Sequence, residues 1–272
     1  MTLWSLRDAA RALKGRVLGD DSVAPSSLDL DTRTLRPGAC FVALRAERDG
    51  HDFAAQAAAQ GAAALLVDHE LGLPLPQLVV RDTLAALQDW GRLRLEQVRP
   101  AQVFGVTGSV GKTTTKELLA SALGAWKTPG NRNNTLGVPQ ALATLPAGEA
   151  AAVLEMGMSF AGEIDTLCRI APLDFGLITC VGTAHLENFP DGQEGIARAK
   201  GELVAGLLPG GTWVHLAADP CAAGSPSRAG PTAPARCGWA SGRSTGGATP
   251  PPWGRRASAS CCASLRAPSR SA

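Results

Sequence analysis

The stretch Thr107-Gly108-Ser109-Val110-Gly111-Lys112-Thr113-Thr114 constrains this chain most, because it stands between an apolar strand, Val103 to Val106, and a helical segment opening at Lys112. Glycines at 108 and 111 let backbone N–H groups turn inward, and a helix start adds about half a positive charge. A lysine at that start reaches terminal phosphates, and the next hydroxyl, Thr113, suits Mg²⁺. The arrangement predicts an ATP or GTP site on Thr107 to Thr114. Its spacing departs from the common G-x-x-x-x-G-K-[ST] form, which puts a glycine where this chain has Val106; Gly105 is one residue early. The plain alternative is a glycine-rich turn before an ordinary helix, but strand, loop, lysine, threonine and helix come in the required order.

Downstream the pattern continues as strand Ala151 to Leu154, helix Gly162 to Ile170, strand Phe175 to Thr179 and helix Glu194 to Leu208. Such alternation predicts a doubly wound parallel sheet, whose ligands bind beyond the carboxyl ends of the strands. Two metal-competent side chains fall at that rim. Glu155 closes one strand, and His185 follows the other in Gly182-Thr183-Ala184-His185-Leu186-Glu187. An acidic residue beside several phosphate charges makes sense chiefly through a divalent cation. Glu155 could equally be a solvated strand end, and His185 a neutral histidine hydrogen-bonded in a loop; Glu187 reads as exposed. In the helix from Glu194, Ile196, Ala199, Leu203 and Leu207 form an apolar stripe that Lys200 joins. An inward lysine must be paired, snorkelling or chemically altered. The loop Thr128 to Pro139, rich in Asn and Gly, offers either amide contacts to a ligand or turn chemistry.

Residues 1–98 read as a separate small α/β unit: strand Cys40 to Leu44, helix Phe53 to Gln60 closed by Gly61, strand Ala62 to Val67, and strand Leu78 to Val80. Asp82 is an N-cap for a helix with Leu84, Leu87, Leu93 and Leu95 on its apolar side, and Pro100 marks a boundary. A chain of 272 residues holds about two domains. No run approaches the roughly 18 apolar residues of a membrane span, and charges break the first stretch, so neither membrane insertion nor a secretory signal is expected.

The net charge of +2 hides two unlike parts. Residues 1–214 carry 19 Lys and Arg against 23 Asp and Glu, whereas residues 215–272 carry seven Arg against Asp219 alone. The latter segment is dominated by Ala, Ser, Pro, Gly and Arg, too poor in apolar residues to order itself, and reads as a disordered, non-native tail of the kind an out-of-frame GC-rich gene yields. Without Lys or interleaved aromatics it is not read as a nucleic-acid binder. Its Cys221, Cys237, Cys261 and Cys262 lack metal-ligand spacing. Three scattered cysteines before it suit a reducing cytoplasm.

Taken in order, T-G-S-V-G-K-T-T-T-K-E, G-N-R-N-N-T-L-G-V-P, E-M-G-M-S-F-A-G-E-I, T-A-H-L-E and A-R-A-K-G-E-L resemble the Mur ligases of peptidoglycan synthesis. Upstream, D-T-R-T-L-R-P-G-A-C-F-V-A-L-R and D-G-H-D-F resemble that family's N-terminal UDP-sugar-binding domain. The resemblance implies an N-terminal UDP-MurNAc-peptide-binding domain over 1–98 and a partial, P-loop-type ATP-binding domain over 99–214. It implies a cytoplasmic, monomeric, ATP- and Mg²⁺-dependent amide ligase joining D-alanyl-D-alanine to UDP-MurNAc-tripeptide through an acyl phosphate. By resemblance Lys112 stabilises the transferred phosphoryl group, Thr113 and Glu155 hold one Mg²⁺, and His185 helps hold a second with a carbamylated Lys200. Asn134 matches an amide near the nucleotide, and Thr32, Arg33 and His51 the uridine contacts. The resemblance fades between Val214 and Pro220, and a tyrosine-containing downstream motif has no counterpart in a chain without Tyr. Little ligase activity is therefore expected. The alternatives are a nucleotide-binding fragment without catalysis, a sister ligase adding a diamino acid, or folylpolyglutamate synthetase; the N-N-x-x-G-V-P, H-L-E and D-T-R strings favour the first assignment.

Overall fold

Short runs of apolar residues become strands buried on both faces, and the helix-period segments between them cover the sheets. The computed structural model describes residues 4–215, so the readings of residues 216–272 as a disordered or out-of-frame tail fall outside the described residues. In the N-terminal half the elements are α1 (Leu6–Leu13), β1 (Arg16–Leu18), β2 (Leu28–Asp29), β3 (Cys40–Val42), α2 (Ala54–Ala59), β4 (Ala64–Val67), β5 (Gln77–Val79) and α3 (Thr83–Val98). Their sheet runs β1-β5-β4-β3-β2, parallel except for β1. Alternation along β3 sends Cys40 and Val42 into one core with Leu66, Leu78, Leu87 and Trp90, and Phe41 into the other with Ala54, Ala57 and Leu65. A 3₁₀ turn over Gly50–Phe53 shortens the expected alanine-rich helix to Ala54–Ala59. Asp82 caps α3 by accepting the Ala85 N–H, but Leu84 is exposed rather than on the packed face, because Thr83, Ala86 and Leu87 turn inward in that first turn.

The central half holds β6 (Gln102–Thr107), α4 (Lys112–Leu123), β7 (Trp126–Lys127), α5 (Gly137–Leu142), β8 (Ala151–Glu155), α6 (Glu163–Ile170), β9 (Leu173–Ile178), α7 (Gly192–Ala205) and β10 (Leu207–His215). Its sheet is wholly parallel, in the order β10-β9-β6-β8-β7. With β8 on one side of β6 and β9 on the other, three carboxyl ends share one rim. Two short elements, β7 and α5, have no counterpart in the sequence pattern. The last helix is also shorter than its stripe suggests: Gly206 ends α7 by donating to Glu202 O, and Leu207 opens β10. His215 pairs with Ile178 in that strand and so does not belong to a tail.

Helix α3 ties the halves together. Its Gly91 lies against Pro139 of α5, where an added Cβ would meet the proline backbone, and Arg94 donates twice to Leu145 O at 2.8 and 3.0 Å. Gln140 Nε2 donates to Leu28 O at 2.6 Å. Trp90 is packed in the N-terminal core while Leu95, on the same helix, joins the central one. Among the described residues no helix is long and apolar enough to cross a membrane.

Candidate functional site

Helix α4 starts directly after Gly111, whose φ of 84° is the left-handed conformation glycine takes without strain. Gly108 is constrained more tightly, since a Cβ there would overlap the Thr179 hydroxyl. That hydroxyl donates to Val110 O at 2.6 Å, Ser109 N donates to Cys180 O at 3.0 Å, and Gly182 N donates to Ser109 Oγ at 2.8 Å. The segment after β9 is thus stitched onto the phosphate loop. Gly105, out of register in the motif, lies within β6 under Leu173 and Leu203 and serves packing. Lys112 Nζ bends over the loop to donate to Gly108 O at 2.8 Å, while Val110, Thr113 and Thr114 are exposed. Thr107 is buried, and its hydroxyl has no hydrogen-bond partner.

Glu155 is the last residue of β8, opposite Val106, and is 1% exposed, which overturns the solvated strand end. Its Oε1 accepts from Asn133 Nδ2 at 2.8 Å. Oε2 is buried without a hydrogen-bond partner, although Lys116 Nζ lies 3.4 Å away. An unshared buried carboxylate oxygen beside a phosphate cradle, with the Thr113 hydroxyl on the loop, is a donor set that fits Mg²⁺.

On the other flank His185 is exposed, in the left-handed region at φ 64°, and opens the turn Leu186–Asn188; its ring makes no hydrogen bond among the described residues, against the loop-histidine reading. Glu187 is exposed, as its position suggested. Lys200 is 3% exposed and pairs with no carboxylate among the described residues, so it does not snorkel. Burial foremost, then the Lys112 charge, pushes its ammonium down to about 8, against a smaller opposing pull from Cys180. At about 8 the ammonium still predominates at physiological pH, but a minority of the buried amine is neutral and chemically available.

Asn134 Oδ1 accepts from Leu136 N and Gly137 N at the start of α5. The neighbouring Asn133 is the amide that reaches Glu155. Sequence reasoning also passed over Lys116, wholly buried, and Thr128, whose hydroxyl accepts from Glu155 N at 3.1 Å. For Lys116 a signal existed, because it follows Lys112 and precedes Ala120 by four residues, on one helix face.

In the N-terminal half Thr32 and Arg33 line a cavity of about 560 Å³ together with Phe41, Arg48, Phe53 and Leu136. Arg33 grips Asp31 and holds its carboxyl down at about 2. Arg48 lies over the Phe53 ring, 4.7 Å from its centre. His51 is not on the wall. It is buried, with Nδ1 2.6 Å from Asp49 Oδ1 and Nε2 accepting from Asp68 N, while the wall at that point is Gly50. His51, Asp68 and His69 bring three ligand-type atoms together, but Arg45 engages both Asp68 oxygens, so the group is a closed network.

A parallel sheet whose central strand feeds a glycine loop and helix, with a buried carboxylate at the adjacent strand end, defines a P-loop-type nucleotide-binding unit. Residues 106–233 match the family model of the Mur ligase middle domain, and the chain belongs to the Mur ligase family. It is 42% identical over 216 residues to UDP-N-acetylmuramoyl-tripeptide–D-alanyl-D-alanine ligase of Escherichia coli (strain K12), covering 78% of this chain and 46% of that protein. The enzyme of the same name from Bacillus subtilis (strain 168) is 41% identical over 198 residues, covering 70% and 43%. MurF from Acinetobacter baumannii superposes with TM-score 0.73 at 36% identity, over 81% of this chain and 50% of that one. MurF ligase from Thermotoga maritima in complex with ADP gives TM-score 0.63 at 36% identity, over 71% and 46%. The chain spans about half the length of the curated relatives it matches.

Proposed function

We propose that this chain carries the carboxylate-activating chemistry of an ATP-dependent amide ligase of peptidoglycan precursor synthesis. In this reading ATP phosphorylates the terminal carboxylate of UDP-MurNAc-tripeptide, and the amine of D-alanyl-D-alanine attacks the acyl phosphate, displacing inorganic phosphate. The reaction belongs in the cytoplasm, where nucleotide and UDP-sugar are both present. The observation that carries the reading is Glu155: a buried carboxylate with one oxygen that accepts no hydrogen bond, at the strand end next to the phosphate loop.

The loop amides from Gly108 to Lys112 face the phosphates, and the Lys112 ammonium, exchanging the Gly108 carbonyl for a phosphate oxygen, follows the charge that develops on the transferred group. Thr113 and Glu155 would hold Mg²⁺, which when bound offsets the negative charge shared by phosphates and carboxylate. His185 and a carbamylated Lys200 would hold a second ion; the lowered basicity of Lys200 supports this, since only the neutral amine adds to CO₂. The 560 Å³ cavity bounded by Thr32 and Arg33 is proposed for the uridine end of the substrate, with Arg48 and Phe53 offering cation and ring contacts. His51, behind that wall, would support Gly50 rather than touch the base.

Exchange of labelled ADP into ATP tests this without the amine. Exchange that requires UDP-MurNAc-tripeptide and Mg²⁺, and falls by about 100-fold or more in Glu155→Gln, is the expected result. Nucleotide binding with no tripeptide-dependent exchange would instead support a binding unit without catalysis.

A further inference from the structure

Lys116 has no exposed surface, yet it carries an ammonium in a place where an apolar side chain of similar length would fill the same space. Its Nζ donates to Gly130 O at 2.6 Å, in the Asn- and Gly-rich loop. Two carboxylates approach it. Glu117 Oε1, at 3.5 Å, belongs to a half-exposed group already held by Lys127. Glu155 Oε2, at 3.4 Å, is buried and is the oxygen left without a hydrogen bond. Asn133 meanwhile fixes the other Glu155 oxygen. The carboxylate is therefore held in place by an amide on one oxygen and by a near but undirected positive charge on the other.

A fixed charge so close opposes any cation that approaches the same oxygen, and the opposition is strong where water is excluded. Nucleotide phosphates arriving at Gly108 to Lys112, one helical turn before Lys116 on α4, would bring negative charge that offsets that cation. Building on the nucleotide-site reading above, we propose that Lys116 is a positioning residue that makes divalent-cation binding at Glu155 conditional on nucleotide: it orients the empty carboxylate and disfavours the metal until phosphates are present.

The test is Mn²⁺ binding to the full chain by electron paramagnetic resonance, with and without a non-hydrolysable ATP analogue; Mn²⁺ prefers oxygen ligands over the cysteines. Two variants separate charge from shape. Lys116→Gln keeps a donor for Gly130 O without the charge, and Lys116→Arg keeps the charge. The proposal expects nucleotide-free Mn²⁺ affinity to rise by roughly tenfold or more in Lys116→Gln, to stay near wild type in Lys116→Arg, and to lose the gain when Glu155→Gln is added. Unchanged nucleotide-free affinity in a folded Lys116→Gln protein overturns it. Should that variant not fold, thermal melting of the wild type decides: the proposal requires Mg²⁺ alone to leave the melting temperature unmoved at concentrations that raise it with the analogue. Stabilisation by Mg²⁺ alone overturns the proposal. Failure of the analogue to bind wild type in any metal would overturn the nucleotide-site reading itself, which is a separate readout.

Discussion

Lys200 is buried near enough to Lys112 for the two charges to oppose each other, on a helix and a loop that reach the same rim of the central sheet. Burial and this repulsion bring Lys200 to about 8, from an ordinary 10.5. A lysine depressed on folding gives up its proton in the native state first, so stability rises with pH once the pH passes about 8. Cys40 and Cys168 act in the other direction: burial raises both thiols from 9.0 to about 12, so stability falls above about 9 as the unfolded chain ionises them. Urea unfolding in CO₂-free, metal-free buffer should show stability increasing from pH 8 to pH 9. Lys200→Met should flatten that rise, and an unchanged slope in the variant would count against a buried, titrating Lys200.

Among the described residues Lys112 donates only to carbonyls of its own loop, and it is half-buried, so its loss should cost little stability. Lys112→Met is expected to change unfolding free energy by less than about 1 kcal/mol while weakening ATP binding by roughly tenfold or more. Isothermal titration beside chemical denaturation reads both quantities on the same sample.

Gly108→Ala places a methyl group on the Thr179 hydroxyl and forces an L-residue to a φ of 149°. Destabilisation of about 2–4 kcal/mol is expected. Adding Thr179→Ala relieves the overlap but not the dihedral strain, so a double-mutant cycle should return a coupling of about 1 kcal/mol. Additivity of the two changes would mean that the segment after β9 does not lie on the loop.

Arg33 is exposed and among the described residues its side chain is bound only to Asp31, an arrangement worth little to the folded state. Arg33→Ala should leave the melting temperature within about 1–2 °C of wild type while weakening UDP-sugar affinity. His51→Ala, by contrast, removes a buried ring bonded to Asp49 and Asp68 and should lower stability by about 1–3 kcal/mol. Equal effects of both variants on UDP-sugar binding, measured on folded protein, would place His51 on the cavity wall after all.

Much of this was legible in the residues. The helix Lys112–Leu123 follows from the glycine before it and the glycine after it, and Glu155 is found by asking what ends the next apolar run. Local pattern gave no warning of β7 or α5, because two residues make no period and because α5 includes Pro139 and is buried at every position. Leu207 fell into the helix stripe since apolar spacing continues across Gly206, where the chain turns into a strand. That Asn133 reaches Glu155 while Asn134 accepts from the backbone at the start of α5 is set by tertiary contact, which two adjacent identical side chains do not announce. Lys116 was passed over because its burial comes from tertiary contact, with Gly130 O of the Asn- and Gly-rich loop and Glu155 at the end of β8 closing over its ammonium.

Lys112, Glu155 and His185 are proposed to serve one nucleotide and its metal ions. A crystal structure of the chain with a non-hydrolysable ATP analogue and Mn²⁺, located by anomalous scattering, tests it most directly. The expected map has a manganese peak within coordination distance of Glu155 Oε2, the Lys112 ammonium moved from Gly108 O onto the terminal phosphate, and His185 turned toward a second peak shared with Lys200. A nucleotide bound away from the loop, or a Glu155 carboxylate still facing Lys116 with no metal beside it, would rule out the shared site.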